Sequence, residues 1–600
     1  METLTQSRTQ SWLSWFFRGL IILGFLGLLA RLIDLQVIRG NYFRALAEGN
    51  RVRRVPIVAS RGNIVARGGE VLVGSSEVKK RVIFDPLEGY GKTTDIADAA
   101  EEDIITEYNR HYPVGSAFAH VGGYVGSVNE EEVGKANAEC LDRGERKAYS
   151  FVGRTGLEKQ YECLLSGRDG EELVEVDSLG NRIRTLGRRD AQTGQDLRTT
   201  IDFNLQTYIA DILGGKKEFS RGDIPEGELT AAVVVTDTKG EVLALYSSPS
   251  YDPNVLVDPE HASEVASILN DKRMVMFNRA IGGVYHPGSV FKPMVTIAAL
   301  MSESIDPDYT YNDTGSIIVN SDYGTFTYNN WYFTQYGGTE GEVGIERALA
   351  RSTDTFYYKI GEMTGMESLN AWTEKFGLGL PTQIDIPGEV SGLVPNPEWK
   401  RLAQGERWFL GNTYHFSIGQ SDIVLTPLQI NQAISVFASG GKLCRPFIAQ
   451  GTEESCIDLE IDERYMQDVI EGMHQACSAG GTGFTFFPVN NPEDSTFIDK
   501  RVACKTGTAE TGKGDTTHAW FVFFTPFNDI KSDNESGVRN SERQTVAKTT
   551  PDIVVTVLVE EGGEGSKIAG PIARAIYDKW YGLENGVKAI APAEAPVGVE

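Results

Sequence analysis

Apolar residues first gather near the amino terminus. Gly19 to Ala30 (GLIILGFLGLLA) carries no charge, with Arg18 before it and Arg31 after it. A bilayer core needs about 20 apolar residues along a helix. The stretch from Trp12 to Ile33 has that length when both arginines reach back to the headgroups, and Trp12 and Trp15 suit an interface. A cleaved signal peptide has a similar pattern, but Leu28 and Ala30 do not make the small-x-small pair of a good cleavage site. A retained anchor is therefore expected. Arg31, Arg39, Arg44, Arg51, Arg53 and Arg54 follow the segment and by themselves would put the downstream side inside. Long domains translocate largely regardless of charge, so the bulk of the protein is expected outside.

Two patterns follow the anchor. From Arg39 to about Thr193, short apolar runs are broken by glycine, as in His120-Val-Gly-Gly-Tyr-Val-Gly. These predict strands and turns, with one helix over Leu157–Leu165 that Gly167 ends. From about Asp196 the runs lengthen. Leu205–Leu213 reads as a helix. Thr230–Asp237 and Val242–Tyr246 read as strands joined by a Lys239-Gly240 turn. Trp520–Phe524 and Ile553–Val559 are further strand runs, and Ile568–Tyr577 is a helix. Residues 528–550, polar and rich in Asn, Ser and Lys, predict a surface loop. The Ala/Pro-rich end from Ala591 predicts disorder.

Composition narrows the function. The 600 residues suffice for two to four domains, and 41% hydrophobic content is that of a globular protein. A net charge of -26 argues against nucleic acid as a partner. Six cysteines include no CxxC pair, and seven scattered histidines include no HExxH. No metal site is expected.

Three short motifs carry candidate chemistry: Ser289-Val-Phe-Lys292, Ser352-Thr-Asp354 and Lys505-Thr-Gly-Thr508. The first opens a predicted helix that continues over Met294–Ala299. Residues three apart share a helix face, so the Ser289 hydroxyl and the Lys292 amine can meet. A serine needs a base to become a nucleophile. Lysine serves as that base only as the neutral amine, which burial or a second cation such as Lys505 favours. Ser352 would relay a proton between Lys292 and the leaving group. Asp354 would bind a substrate amide or hold Lys292, its charge favouring the ammonium form. Ser, Thr and Asp also cap helices. Lys505-Thr506-Gly507-Thr508 lies in a predicted strand beside which substrate could add as another strand. Lys505 and Thr506 would take a carboxylate, Gly507 leaves room for the ligand, and the Thr508 N–H would join that of Ser289 as an oxyanion donor. Glu367-Ser-Leu-Asn resembles a deacylation loop only faintly. Its Glu and Asn are three apart, and a surface helix over Met366–Phe376 reads better. Without a base for water, acyl transfer to an amine is favoured over hydrolysis.

SxxK, SDN and KTG in this order are the signature of penicillin-binding proteins and class A β-lactamases. The chain resembles a class B penicillin-binding protein, most like the elongation subgroup. Further stretches carry the likeness, among them Arg61-Gly-Asn-Ile, Gly153-Arg-Thr-Gly-Leu-Glu, Ser247-Ser-Pro-Ser-Tyr-Asp-Pro-Asn, Ser417-Ile-Gly-Gln, Thr426-Pro-Leu-Gln and His518-Ala-Trp-Phe-Val. The resemblance implies an α/β (α+β) serine acyltransferase domain of the β-lactamase/transpeptidase kind, an elongated β-rich pedestal and one amino-terminal transmembrane helix. It implies boundaries at 1–11 (cytoplasmic tail), 12–36 (signal-anchor), 37–195 (pedestal, dimerisation-like), 196–585 (transpeptidase) and 586–600 (disordered tail). Cross-linking of peptidoglycan stem peptides ending in D-Ala-D-Ala, acylation by β-lactams, a RodA-like glycosyltransferase partner and other elongation-complex proteins are implied. So is a single pass through the bacterial inner or plasma membrane with the catalytic domain in the periplasm. No cofactor is implied.

The pattern departs from the family in places. The turn Ala66-Arg-Gly-Gly69 stands where the family has Asp-Arg-Asn-Gly. Some elongation members hold zinc between the first two motifs, whereas no Cys or His stands between Ser289 and Ser352, so zinc is not carried over. A septal transpeptidase, a β-lactam sensor and a D,D-carboxypeptidase remain alternatives. Pairing of Cys444 with Cys456, or of Cys140 with Cys163, is left open.

Overall fold

Unbroken apolar runs need a sheet that is covered on both faces, and the carboxy-terminal half builds one. In the computed structural model the described residues are 9–85, 89–135, 140, 145–177, 181–216, 227–258, 261–494, 497–498, 500–512, 514, 516–526 and 552–583. The 528–550 loop and the 586–600 tail expected above lie outside them. The chain divides into two compact units. Residues up to Arg61, Ser75–Asn109 and Ser166–Gly194 form one; Gly62–Gly74, Arg110–Leu165 and the chain from Gln195 form the other.

The first unit begins with the helix Thr9–Ile33, which continues through a wider π-helical turn, Asp34–Ile38. Over Trp12–Ile38 it is long and apolar enough to cross a membrane, and none of that surface is buried by protein. Beyond it, Val52–Ile57, Gly170–Val176 and Arg182–Arg189 form an antiparallel sheet in that order. Its core is small: Val55, Val82, Val174 and Val176, with Ile105 against them. Cross-strand ion pairs supplement it, Arg182 with Glu172 at 2.6 Å and Arg184 with Glu175 at 2.7 Å.

The second unit carries a five-stranded antiparallel sheet of β1 (Ala231–Thr236), β2 (Val242–Ser248), β3 (Ala503–Glu510), β4 (Thr517–Thr525) and β5 (Ile553–Val559), in the order β2-β1-β5-β4-β3. Side chains alternate between faces along a strand. Val234, Val522 and Val554 join one core, and Val233, Val235, Phe521, Phe523 and Val555 join another. The second face is covered by α1 (Phe203–Leu213) and, near the chain end, by Ala569–Trp580. The first face carries α2 (Lys292–Met301), α3 (Ile345–Arg351), α4 (Asp354–Lys375), α5 (Pro427–Ser439) and α6 (Glu463–Ala476). Both faces are thus buried, which is why these strands lack polar alternation.

The stretch Thr426-Pro-Leu-Gln429 is a capping box. Gln429 N donates to Thr426 Oγ1 and Thr426 N donates to Gln429 Oε1, with Pro427 at the first helical position. From α5 the buried Asn431 side chain donates to Val234 O and Val554 O and accepts from Thr236 Oγ1, fixing the helix across β1 and β5. The predicted helix over Leu157–Leu165 is two short pieces, Gly156–Gln160 and Glu162–Leu165, interrupted at Tyr161. Glu367 is exposed on the second part of α4, beyond a break at Gly365.

Candidate active site

Ser289 does not begin a regular α-helix as its motif predicts. It lies on a 3₁₀ turn, Gly288–Phe291, where Lys292 N–H bonds back to Ser289 O, and the α-helix starts at Lys292. Pro293 explains this. An α-helix that included Ser289 would need a Pro293 N–H to donate to Ser289 O, and proline has none. Gly288 has φ of +57°, and a Cβ there would lie 3.0 Å from Thr508 O. The turn therefore reaches β3 only with glycine ahead of the serine.

Ser352 ends α3 with φ of +57°, in the left-handed region, and α4 begins two residues later. Ser352 thus closes the carboxyl end of α3, where the chain reverses, and Thr353 takes the N-cap position of α4 without a side-chain cap bond. This turn brings two lysines onto one hydroxyl. Lys292 Nζ donates to Ser352 O at 2.8 Å, Ser352 Oγ at 3.1 Å and Asp354 Oδ1 at 2.6 Å. Lys505 Nζ donates to Ser352 Oγ at 3.0 Å and Thr506 O at 3.0 Å. Both lysines have no exposed surface, and Ser352 is 5% exposed.

Burial lowers the pKa of Lys292, and the nearby Asp354 carboxylate opposes it. Lys505 lies well below the usual amine range. Burial is the main cause and the charge of Lys292 adds to it, while Asp354 opposes. A hydroxyl has one proton to give and two lone pairs. Ser352 can thus accept from one lysine while donating to the other when that one is neutral, as a proton relay requires.

Ser289 is half-buried, one turn ahead of Lys292. Among the described residues its hydroxyl makes no hydrogen bond to Lys292; such bonds often tighten only when substrate arrives. β3 is the edge strand of the sheet. A Cβ at Gly507 would meet Val290 Cγ1 and Trp520 Cβ at 3.0 Å and Pro287 O at 3.3 Å, so this glycine lets the serine turn pack on the strand. Thr508 is exposed beside it, and Gly565 N donates to its Oγ1 at 3.3 Å. Thr506 pairs its hydroxyl with that of Thr482 at 2.7 Å.

Several residues of this site carry no motif. Asp354 Oδ2 accepts from Trp331 N, and Asp354 N donates to Asn330 Oδ1. Asn330 Nδ2 in turn donates to buried Asp313, whose carboxylate also accepts from Gly315 N, Glu340 N and Thr355 Oγ1. Thr482 belongs to a glycine-rich run after Cys477, and that run was the available signal. The cysteines pair as Cys140–Cys163, Cys444–Cys456 and Cys477–Cys504.

Residues 230–532 match the model of the penicillin-binding protein transpeptidase domain, and 102–199 that of the penicillin-binding protein dimerisation domain. A peptidoglycan D,D-transpeptidase MrdA of Haemophilus influenzae is 29% identical over 97% of this chain and 93% of its own length. The solved structure of Pseudomonas aeruginosa PBP2 bound to WCK 5153 is 28% identical, with a TM-score of 0.66 over 91% of this chain and all of that one. A chain of a peptidoglycan synthase complex, solved to show how polymerization and crosslinking are coordinated, is 26% identical, with a TM-score of 0.68 over 97% of this chain and all of that one. With its transpeptidase match spanning half the sequence and two buried lysines meeting at Ser352, the chain belongs to the penicillin-binding protein transpeptidases, as a class B member of the PBP2 kind.

Proposed function

We propose that this protein is a peptidoglycan D,D-transpeptidase of cell elongation, working through an acyl-enzyme on Ser289. The observation that carries the reading is the convergence of Lys292, one turn after Ser289, and Lys505 on the Ser352 hydroxyl. In the neutral form Lys292 takes the Ser289 proton as Oγ attacks the carbonyl carbon of the penultimate D-Ala. The tetrahedral oxyanion sits between the N–H groups of Ser289 and Thr508. Its collapse breaks the peptide bond, and the departing D-Ala amine receives the proton from Lys292 through Ser352. An acceptor amine then attacks the ester, gives its proton to the same relay, and Ser289 regains a hydrogen. Lys505 and Thr506 bind the donor's terminal carboxylate.

The same chemistry opens the β-lactam ring and leaves penicillin on Ser289. Purified full-length protein mixed with a D-Ala-D-Ala donor, with and without an amine acceptor, tests the reading. Amide formation in the presence of acceptor is expected. Release of free acid alone, unaffected by acceptor, would make it a carboxypeptidase.

The Thr9–Ile33 helix serves as a retained single-pass anchor, with the catalytic unit in the periplasm. Three disulfides support an oxidising compartment. Amino-terminal sequencing of membrane-extracted protein should find no start after Ala30. The partner in synthesis is a RodA-like glycosyltransferase, supported by the likeness to a chain of a synthase complex that couples polymerization to crosslinking. Depletion should give round cells; filaments would assign the enzyme to division instead.

A further inference from the structure

After α6 ends at Ala476, the chain from Cys477 to Gly483 runs between the two halves of the site. It touches the Ser352 side twice: Thr482 N donates to Ala350 O at 3.2 Å, and Arg351 Nη1 donates to Gly480 O at 3.1 Å. It touches the Lys505 side twice as well. Cys477 is bonded to Cys504, the residue before Lys505, and the Thr482 hydroxyl meets that of Thr506 at 2.7 Å. Asn490 adds a brace, with Nδ2 donating to Cys477 O and Val502 O and Oδ1 accepting from Val502 N.

Both cysteines are fully buried. Cys504 belongs to one core of the sheet, while Ala503 and Ala509, on the alternate positions with Lys505, belong to the other. Cys504 and Lys505, adjacent on the strand, point to opposite faces of it, so the bridge holds the strand on the Cys504 side while Lys505 reaches Ser352 from the other. β3 needs such a hold. As an edge strand it has a neighbour on one side only, yet Lys505 must stay within hydrogen-bond reach of a hydroxyl carried by α3.

We propose that the bridged segment Cys477–Gly483 is a positioning device for acyl transfer, keeping Lys505 and Thr506 in register with Ser352 through the Cys477–Cys504 bond and the Thr482 hydroxyl. The proposal rests on the acyl-transfer reading of the site. The charged groups around Lys505 set what its displacement does. Lys292 faces it from α2 and Asp354 from α4. Arg351 of α3 is taken by Glu340 and Gly480 O, and His474 of α6 bonds Val502 O. A displaced Lys505 no longer meets the carboxylate that the donor or penicillin brings, so the concentration needed for half-maximal acylation rises while Lys292 keeps its contact with Asp354.

The test uses the full chain in detergent with fluorescent penicillin as probe, and follows the profile of acylation rate against penicillin concentration. For Cys477→Ala/Cys504→Ala the expected result is a rise of about tenfold in the concentration needed for half-maximal rate, with the maximal rate kept. Cys444→Ala/Cys456→Ala, which removes the bridge between two short strands away from the site, should keep the wild-type profile. Thr482→Val keeps the shape of the side chain and removes only the hydroxyl. It should weaken the apparent binding of penicillin about threefold or more while the maximal acylation rate is kept, since Thr506 then loses its partner. A folded double-cysteine variant with the wild-type profile would overturn the proposal. If that variant does not fold, an unchanged Thr482→Val overturns it alone. A wild type that penicillin never labels would refute the acyl-transfer reading itself, a result distinct from labelling with an unmoved profile.

Discussion

The two lysines that meet at Ser352 come from unlike walls. Lys292 stands at the start of α2 with a carboxylate at 2.6 Å. Lys505 stands on an edge strand, equally buried, and its bonds go to a hydroxyl and a carbonyl. Among the described residues no carboxylate pairs with it. An isolated buried cation is costly, so burial presses both amines toward neutrality. On the helix wall Asp354 resists that pressure. On the strand wall the second lysine adds to it. A lysine with its own counter-ion suits proton transfer, because its charge is steadied from within. A lysine without one is completed by an incoming anion. In the proposed reaction that anion is the donor's terminal carboxylate.

The hardest test of this division removes the helix wall's chemistry. Ser289→Ala should abolish covalent labelling by fluorescent penicillin, with intact mass showing no adduct. Lys292→Ala should slow acylation by about three orders of magnitude or more, since the hydroxyl loses its base. Labelling of Ser289→Ala at the wild-type rate would remove Ser289 from the mechanism.

Removing the strand lysine should cost less and cost it differently. Lys505→Ala is expected to weaken acylation about a hundredfold, mostly as a rise in the concentration needed for half-maximal rate. An equal loss confined to the maximal rate would make Lys505 part of the proton path and erase the contrast between the walls.

A smaller change sharpens the contrast. Asp354 raises the pKa of Lys292 against the lowering by burial. Asp354→Asn takes away the raising influence, so the amine loses its proton at lower pH. Acylation needs the neutral amine, so its rising limb should shift to lower pH. A limb that shifts upward or stays in place would show that Asp354 serves substrate and not the lysine. The smallest effect is expected for Glu367→Gln. Glu367 is exposed on α4, so the lifetime of the penicilloyl-enzyme should not change. A prolonged lifetime would mean that a base outside the lysine pair acts on water.

What could be read from sequence followed distance along the chain. The sheet strands were legible because each is a local run, and the two-faced burial explains their unbroken apolar character. The motif residues were legible because few residue types perform acyl transfer, and Lys292, Ser352, Asp354 and Lys505 do converge. Asn330 and Asp313 were not. Each is a single polar residue whose meaning lies in partners 17 to 42 positions away. The Cys477–Cys504 bond escaped for the same reason: cysteine spacing alone does not choose among pairings. The 3₁₀ turn at Ser289 is a different kind of miss, because Pro293 carried the reason in the sequence itself.

Ser352 has one more consequence. A serine in the left-handed region is less stable there than glycine by about 1 kcal/mol. Ser352→Gly should relax the backbone between α3 and α4 but take from the two buried lysines the hydroxyl that joins them, a loss of similar or greater size. The strained serine is therefore held by the polar contacts it makes. Strain retained at the junction of two helices thus marks, in folding energy, where the chemistry has to pass.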